Sequence, residues 1–186
     1  MSVVNKTNAQ SGSINIVTTA VPFLRISPDA RAGGMADAGI ATSSDAFNSY
    51  WNLAKTPFST TKTLIGATYT PWLQDLGVND LYMVNIGAIH KLDDQQGISG
   101  SVRYFGLGSI QATTDGTNNY GTIRPFEFSI DGGYSRKLSD KLALGVGLRY
   151  IRSNLTNGSA QPSIVQYQAA TAVSGDIHLY YDGTKK

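Results

Sequence analysis

Lys141-Leu142-Ala143-Leu144-Gly145-Val146-Gly147-Leu148-Arg149-Tyr150-Ile151 alternates strictly along its length. The even positions carry Leu142, Leu144, Val146, Leu148 and Tyr150, and the odd ones carry Lys141, Ala143, Gly145, Gly147 and Arg149, with Ile151 the exception. A period of two sends successive side chains to opposite faces of a strand. One face of this strand suits an apolar medium, and the other suits small or polar neighbours. The pattern extends in both directions. Phe126, Phe128, Ile130, Gly132 and Tyr134 alternate with Glu127, Ser129, Asp131, Gly133 and Ser135. Ile98, Gly100, Val102 and Tyr104 alternate with Ser99, Ser101, Arg103 and Phe105, and Tyr82, Val84, Ile86, Ala88 and Leu92 share one face of an earlier strand. Val173, Gly175, Ile177, Leu179 and Tyr181 stand against Ser174, Asp176 and His178, and a weaker strand covers 64–70.

Segments of about 9–11 residues with Gly and Ser on the second face favour a transmembrane barrel over a soluble sandwich. The expected fold is therefore all-β: a transmembrane, antiparallel outer-membrane β-barrel. The connections give an independent sign. Tight turns at 92–96 and 138–141 alternate with long connections at 71–80, 108–122 and 154–170. Outer-membrane barrels have short periplasmic turns and long external loops. Tyr69, Tyr82, Tyr104, Phe126, Phe128 and Tyr150 then fall near the external ends of their strands, and Tyr134 and Tyr181 near the periplasmic ends. Interfacial aromatic girdles require rings at those two depths. In the 126–151 hairpin, residues that pair must share a face. A turn that sets Leu138 opposite Leu142 also sets Asp131 opposite Arg149 on the polar face. Six strands are too few to close a small barrel, which takes about eight. The expectation is that the chain carries the first strands of a larger barrel and is truncated at its C-terminal side.

Composition agrees with a surface that does not face water everywhere. Of 186 residues 41% are hydrophobic and 15% charged, with 20 Gly and 10 Tyr; soluble domains carry roughly 25% charge. The net charge is +2 with no Lys/Arg run, so nothing marks a nucleic-acid footprint. With no cysteine, disulfides and thiolate metal sites are excluded. No stretch approaches the ~20 apolar residues of a membrane helix. Residues 1–13 read as a flexible polar tail, 14–62 as an irregular segment and 63–186 as strands. Short helical turns are expected at 29–38 and 45–54, the second capped by Ser43-Ser44-Asp45.

The irregular zone carries a resemblance. Ala20-Val21-Pro22-Phe23-Leu24-Arg25-Ile26-Ser27-Pro28-Asp29-Ala30-Arg31-Ala32-Gly33-Gly34-Met35-Ala36-Asp37-Ala38-Gly39-Ile40-Ala41-Thr42, followed by Tyr50-Trp51-Asn52-Leu53-Ala54-Lys55, closely resembles the opening of the PorV family of the type IX secretion system. The family usually has Gly at the position of Ala36 and Pro at that of Leu53. A shorter core, Ala-Arg-x-x-Gly-Met followed by Trp-Asn-x-Ala, is shared with the wider fatty-acid-transporter-like barrels. The resemblance implies a bacterial outer-membrane barrel of about fourteen strands, of which this chain holds the first six or so. It implies an N-terminal segment folded into or across that barrel, with Arg25, Asp29, Arg31, Gly33, Gly34, Asp37, Trp51 and Asn52 as its motif residues. The implied role is non-enzymatic. Such proteins receive cargo bearing a C-terminal secretion signal from the translocon barrel and pass it to the surface attachment complex. The looser core motif leaves an alternative, a transporter for hydrophobic small molecules.

No enzyme constellation stands out, and no cofactor or metal is expected. His90 and His178 fall on opposite face parities, far apart in sequence, with no carboxylate motif beside them. Gly145-Val146-Gly147 lacks the strand-to-helix setting of a phosphate loop and reads as small residues that leave luminal space. The charges Arg103, Glu127, Asp131, Arg149 and Asp176 share the polar face. They form either a self-compensating wet interior or an anchor for the N-terminal segment, reached through Arg25, Asp29, Arg31 and Asp37, since buried charges need partners.

Overall fold

A computed structural model describes residues 21–113, 119–155 and 169–183. The expected tail, the first residues of the plug-like segment and most of the 154–170 loop lie outside them. Eight strands follow one another: β1 (Thr63–Pro71), β2 (Leu81–Lys91), β3 (Gln96–Leu107), β4 (Ile110–Thr113), β5 (Asn119–Ile123), β6 (Phe126–Lys137), β7 (Leu142–Asn154) and β8 (Ala170–Tyr181). Six of them make one antiparallel meander in the order β1-β2-β3-β6-β7-β8, and β4 pairs with β5 as a separate hairpin. The meander strands run 9 to 13 residues, long enough to cross a tilted bilayer span. Tight turns join β2 to β3 and β6 to β7, which permits only antiparallel pairing there, and the β4–β5 hairpin is set aside so that β3 pairs with β6.

Each strand sorts its residues by face as the alternation requires. Ile65, Tyr69, Ile86, Ile98, Val102, Ile130, Val146, Leu148, Val173, Ile177 and Leu179 are all exposed on one face. Arg103, Glu127, Ser129, Asp131, Ser135 and Ala143 are buried on the other. A water-facing sheet would invert this pattern, so the outer face is built for an apolar medium. The β6–β7 register pairs Ile130 with Tyr150, Asp131 with Arg149 and Tyr134 with Val146. The sheet is open among the described residues, with β1 and β8 at its edges.

Two local expectations need correction. The connection after β3 is not simply irregular loop, since β4 and β5 extend it as a hairpin with a register shift between Gln111 and Thr113. The second helical turn starts later than its serines suggested. Its helix spans Asn48–Trp51, with Phe47 at the N-cap and no side-chain cap. Asp45 instead accepts from Phe47 N at 2.9 Å, while its own N–H donates to Asn48 Oδ1 at 3.0 Å. The side chains of Asp45 and Asn48 thus shape the approach to the helix and not its first turn.

Candidate functional site

The face of the sheet opposite the apolar one is covered by residues 21–62, folded as short turns. The first is a 3-10 turn over Pro22–Arg25. Pro at its start fixes φ and has no N–H to satisfy. Phe23 from this turn packs with Met83, Phe105 and Ile151 at the long-loop end of the sheet, and Trp72 meets Phe105 edge-on at 6.3 Å. Ile151 breaks the small-or-charged pattern of its face because it contributes to this cluster. Arg103, 2% exposed, rises from β3 beneath the turn. Its Nη1 donates to the carbonyls of Phe23 at 3.4 Å and Leu24 at 3.2 Å, and its guanidinium lies 4.4 Å from the Tyr50 ring centroid. One buried cation thereby joins two parts of the segment to the wall.

The next turn is a short α-helix over Ala30–Gly34. Asp29 caps it, accepting from Ala32 N at 2.7 Å, and its other carboxylate oxygen accepts from Trp51 Nε1 at 2.8 Å. Asp29 and Trp51, 22 residues apart in sequence, lock the two halves of the segment together. Gly39 lies against the Trp51 ring, where no Cβ would fit. The helix ends in a Schellman motif: Asp37 N donates to Ala32 O at 2.8 Å and Ala36 N to Gly33 O at 3.3 Å. The motif requires a left-handed residue, and Ala36 sits there with φ of 55°. Gly33 and Gly34 are exposed at the end of this helix and Asp37 in the turn after it, and Arg25 is exposed on the preceding turn. Arg31 pairs with Asp45 at 3.4 Å and donates to Ser43 Oγ at 3.0 Å.

The last part carries most of the contact with the wall. Asn52 caps a 3-10 turn over Leu53–Phe58, accepting from Ala54 N at 3.1 Å, and donates to Leu179 O of β8 at 2.9 Å. Leu53, Ala54, Lys55, Thr56 and Pro57 are all buried. Their seats are glycines. A Cβ at Gly133 would come within 2.6 Å of Leu53 Cδ2, one at Gly147 within 2.9 Å of it, and one at Gly145 would also collide with Leu53. Gly97 takes Thr56, while Gly66 and Gly87 take Ala46 and Phe47. The glycines therefore do not leave open space, because segment side chains fill it. Burying Leu53 contributes roughly 1.5–3 kcal/mol. Phe58 closes the short-turn end between the Tyr180 ring, 5.4 Å away, and Lys137 Nζ at 4.6 Å. Lys55 Nζ donates to Gly39 O at 2.8 Å. Burial pushes its ammonium below the ordinary lysine range, with Asp45 opposing the shift. The one sign of a buried Lys55 in the sequence is its place inside the largely apolar run Leu-Ala-Lys-Thr-Pro-Phe.

The wall charges pair mainly with one another. Arg149 Nε bonds Asp131 Oδ1 across the β6–β7 pair, and its Nη1 lies 3.9 Å from Asp176 Oδ2. Ser101 and Ser129 donate to Asp131 at 3.2 and 3.3 Å, and Ser153 donates to Glu127 at 2.7 Å. Segment and wall meet through hydrogen bonds to backbone carbonyls, from Arg103 to Phe23 and Leu24, from Thr68 to Pro28 and from Asn52 to Leu179, with the described ion pairs falling inside the segment or inside the wall. His90 lies on the outer face, 2.7 Å from Thr63 Oγ1, and His178 on the inner face. Among the described residues no group of His, Cys, Asp and Glu could hold a metal ion.

At the long-loop end the outer face carries a run of rings. Tyr69–Tyr82, Tyr82–Tyr104, Tyr104–Phe126, Phe126–Phe128 and Phe128–Tyr150 have centroids 5.8, 6.0, 5.8, 6.4 and 6.1 Å apart. They cross five strands at one level, the placement of an interfacial girdle.

Comparison with known proteins agrees with this architecture. No curated protein matches the sequence. The family model described as type IX secretion system protein PorV matches residues 7–186, nearly the whole sequence. The chain belongs to the PorV family of type IX secretion system proteins.

Proposed function

We propose that the sheet is a section of the wall of a closed outer-membrane barrel of about fourteen strands, with residues 14–62 as its plug and 63–186 in its wall. The apolar outer face supports this reading, as do the cost of unpaired strand edges in lipid, several kcal/mol per group, and the ring girdle at one level. The long loops face outward from the cell and the short turns face the periplasm. In that setting the protein is a non-enzymatic secretion component. It receives cargo with a C-terminal secretion signal from the translocon barrel and delivers it to the surface attachment complex.

Family membership carries this reading, and one structural observation favours it over a transporter of hydrophobic small molecules. Among the described residues the segment occupies much of the inner face. The cavity between Ser49, Leu53, Asp131, Asp176 and His178 is about 10 Å³, space for a single water at most. Cargo contacts then belong to the outward loops and not to a lumen. The test is affinity purification of the protein from cells that make the whole secretion system. Recovery of the translocon barrel and of cargo carrying the C-terminal signal is expected. Recovery of neither, together with uptake of a hydrophobic solute by protein-containing vesicles, would favour the transporter.

A further inference from the structure

The row of rings on the outer face has a gap at the long-loop end. The registers of β3 with its two neighbours set Gly106 between Tyr82 and Phe126, so the middle position carries no side chain. The Tyr82 ring covers that glycine, because a Cβ on Gly106 would come within 3.1 Å of two of its ring atoms. The ring therefore lies against the wall with one face turned outward. The Tyr104 ring is 6.0 Å from it and tilted by 33°. A cleft of about 290 Å³ opens over these rings, lined also by Asp80, Ser109 and Arg124. Asp80 is exposed and held in place, since its Oδ2 accepts from Ser109 N at 2.6 Å. Gly108 turns the chain beside it with φ of +78°, and a Cβ there would lie 2.7 Å from Asp80 Oδ1. Glycine keeps the space beside that oxygen open.

We infer that this cleft holds a sugar ring, the headgroup of a glycolipid in the outer leaflet. The inference rests on the barrel reading above, which turns the cleft outward. A hexose has a face of C–H bonds and a rim of hydroxyls. The C–H face suits the outward face of the Tyr82 ring, whose negative π cloud attracts weakly positive hydrogens. The hydroxyls are donors, and the Asp80 carboxylate accepts from them in charge-assisted hydrogen bonds. The lining charges favour a neutral occupant, because Asp80 opposes an anion and Arg124 opposes a cation. An aromatic floor with a few polar groups around it, at this volume, is the make-up of a site for one small ring. The depth favours a sugar carried on a lipid over a free one. The floor rings belong to the girdle, which marks the headgroup level. Ile86 and Val102, paired with each other and exposed, continue the apolar face beneath them, where acyl chains would lie.

The test is native mass spectrometry of the protein in a polyoxyethylene detergent, which carries no sugar. The protein is titrated with monogalactosyl diacylglycerol, with phosphatidylglycerol of the same acyl chains and with free methyl galactoside. Expected is retention of the galactolipid at roughly tenfold lower concentration than the phospholipid. The preference is expected to fall in both Tyr82→Leu and Asp80→Asn. Leucine keeps the outer face apolar, and Asn at position 80 still accepts from Ser109 N, so wall and loop are retained. Tyr69→Leu, which removes a girdle ring outside the cleft, is expected to leave the preference intact. Equal retention of the two lipids overturns the inference, as does a preference that survives either cleft substitution or falls equally in Tyr69→Leu. Displacement by methyl galactoside at the lipid's own concentration also overturns it, because the site then belongs to a soluble saccharide. A protein that stays in solution without detergent overturns the barrel reading and this inference with it, whereas a detergent-dependent protein lacking the preference overturns the inference alone.

Discussion

Ala36 and its neighbour Asp37 both take left-handed backbone without being glycine, and Ala36 has no polar side chain to offset it. It is the left-handed residue of a Schellman motif, with φ of 55°, and a Cβ in that conformation costs about 1–2 kcal/mol. The resemblance already marked the position, since the family usually has glycine there. What the residues could not show was the reason, because a Schellman motif is defined by hydrogen bonds to carbonyls in the preceding turn. Ala36→Gly is expected to raise stability by about 0.5–1 kcal/mol, the strain relieved less the extra chain entropy of glycine. Urea unfolding of the two proteins in detergent measures this, and a loss of stability would show that the turn does not need the left-handed geometry. Arg103 is the complementary case. Its place on the polar face was legible from alternation, but its partners were not. They are backbone carbonyls 79 and 80 positions away in the chain and the ring face of Tyr50, and carbonyls leave no mark in a sequence.

At the scale of elements the strands were the most legible part. Alternation fixes the parity of every residue, and turn length together with opposite charge then selects the register. The Asp131–Arg149 pair in β6 and β7 follows from those facts. The β4–β5 hairpin was not legible because its strands are only four and five residues long, too short to display a period. The glycines of the inner face are plain in the sequence, but their occupants lie in a segment without periodicity. Gly145→Ala is expected to destabilise by about 1–3 kcal/mol through overpacking against Leu53. Leu53→Ala alone also destabilises by about 2–5 kcal/mol, by leaving a cavity. The double variant is expected to cost less than the sum of the two, because each change relieves the other. Strict additivity in unfolding experiments would mean that Leu53 does not sit on this glycine. The orientation of the elements is tested separately. A cysteine at the exposed Asp75 is expected to react with an impermeant thiol reagent on intact cells and one at Asp94 is not, and the reverse pattern would invert the loops.

For the whole molecule, the order of the chain explains the architecture. A polar, irregular segment is followed by a meander whose apolar face points away from it, so the segment has one surface to cover, the small and charged one. Filling that surface with Leu53, Thr56 and Phe58 and joining it through Arg103 leaves the apolar face exposed for lipid. The two faces must therefore differ in their surroundings all along β7. Quenching by brominated lipids of a fluorophore placed at single cysteines measures that difference directly. Positions 146 and 148, exposed on the outer face, are compared with 143 and 153, which face the segment. Strong quenching at Val146 and Leu148 with little at Ala143 and Ser153 is the expected result. Equal quenching at all four positions, or stronger quenching at Ala143 and Ser153, would contradict a lipid-facing wall lined by its own N-terminal segment.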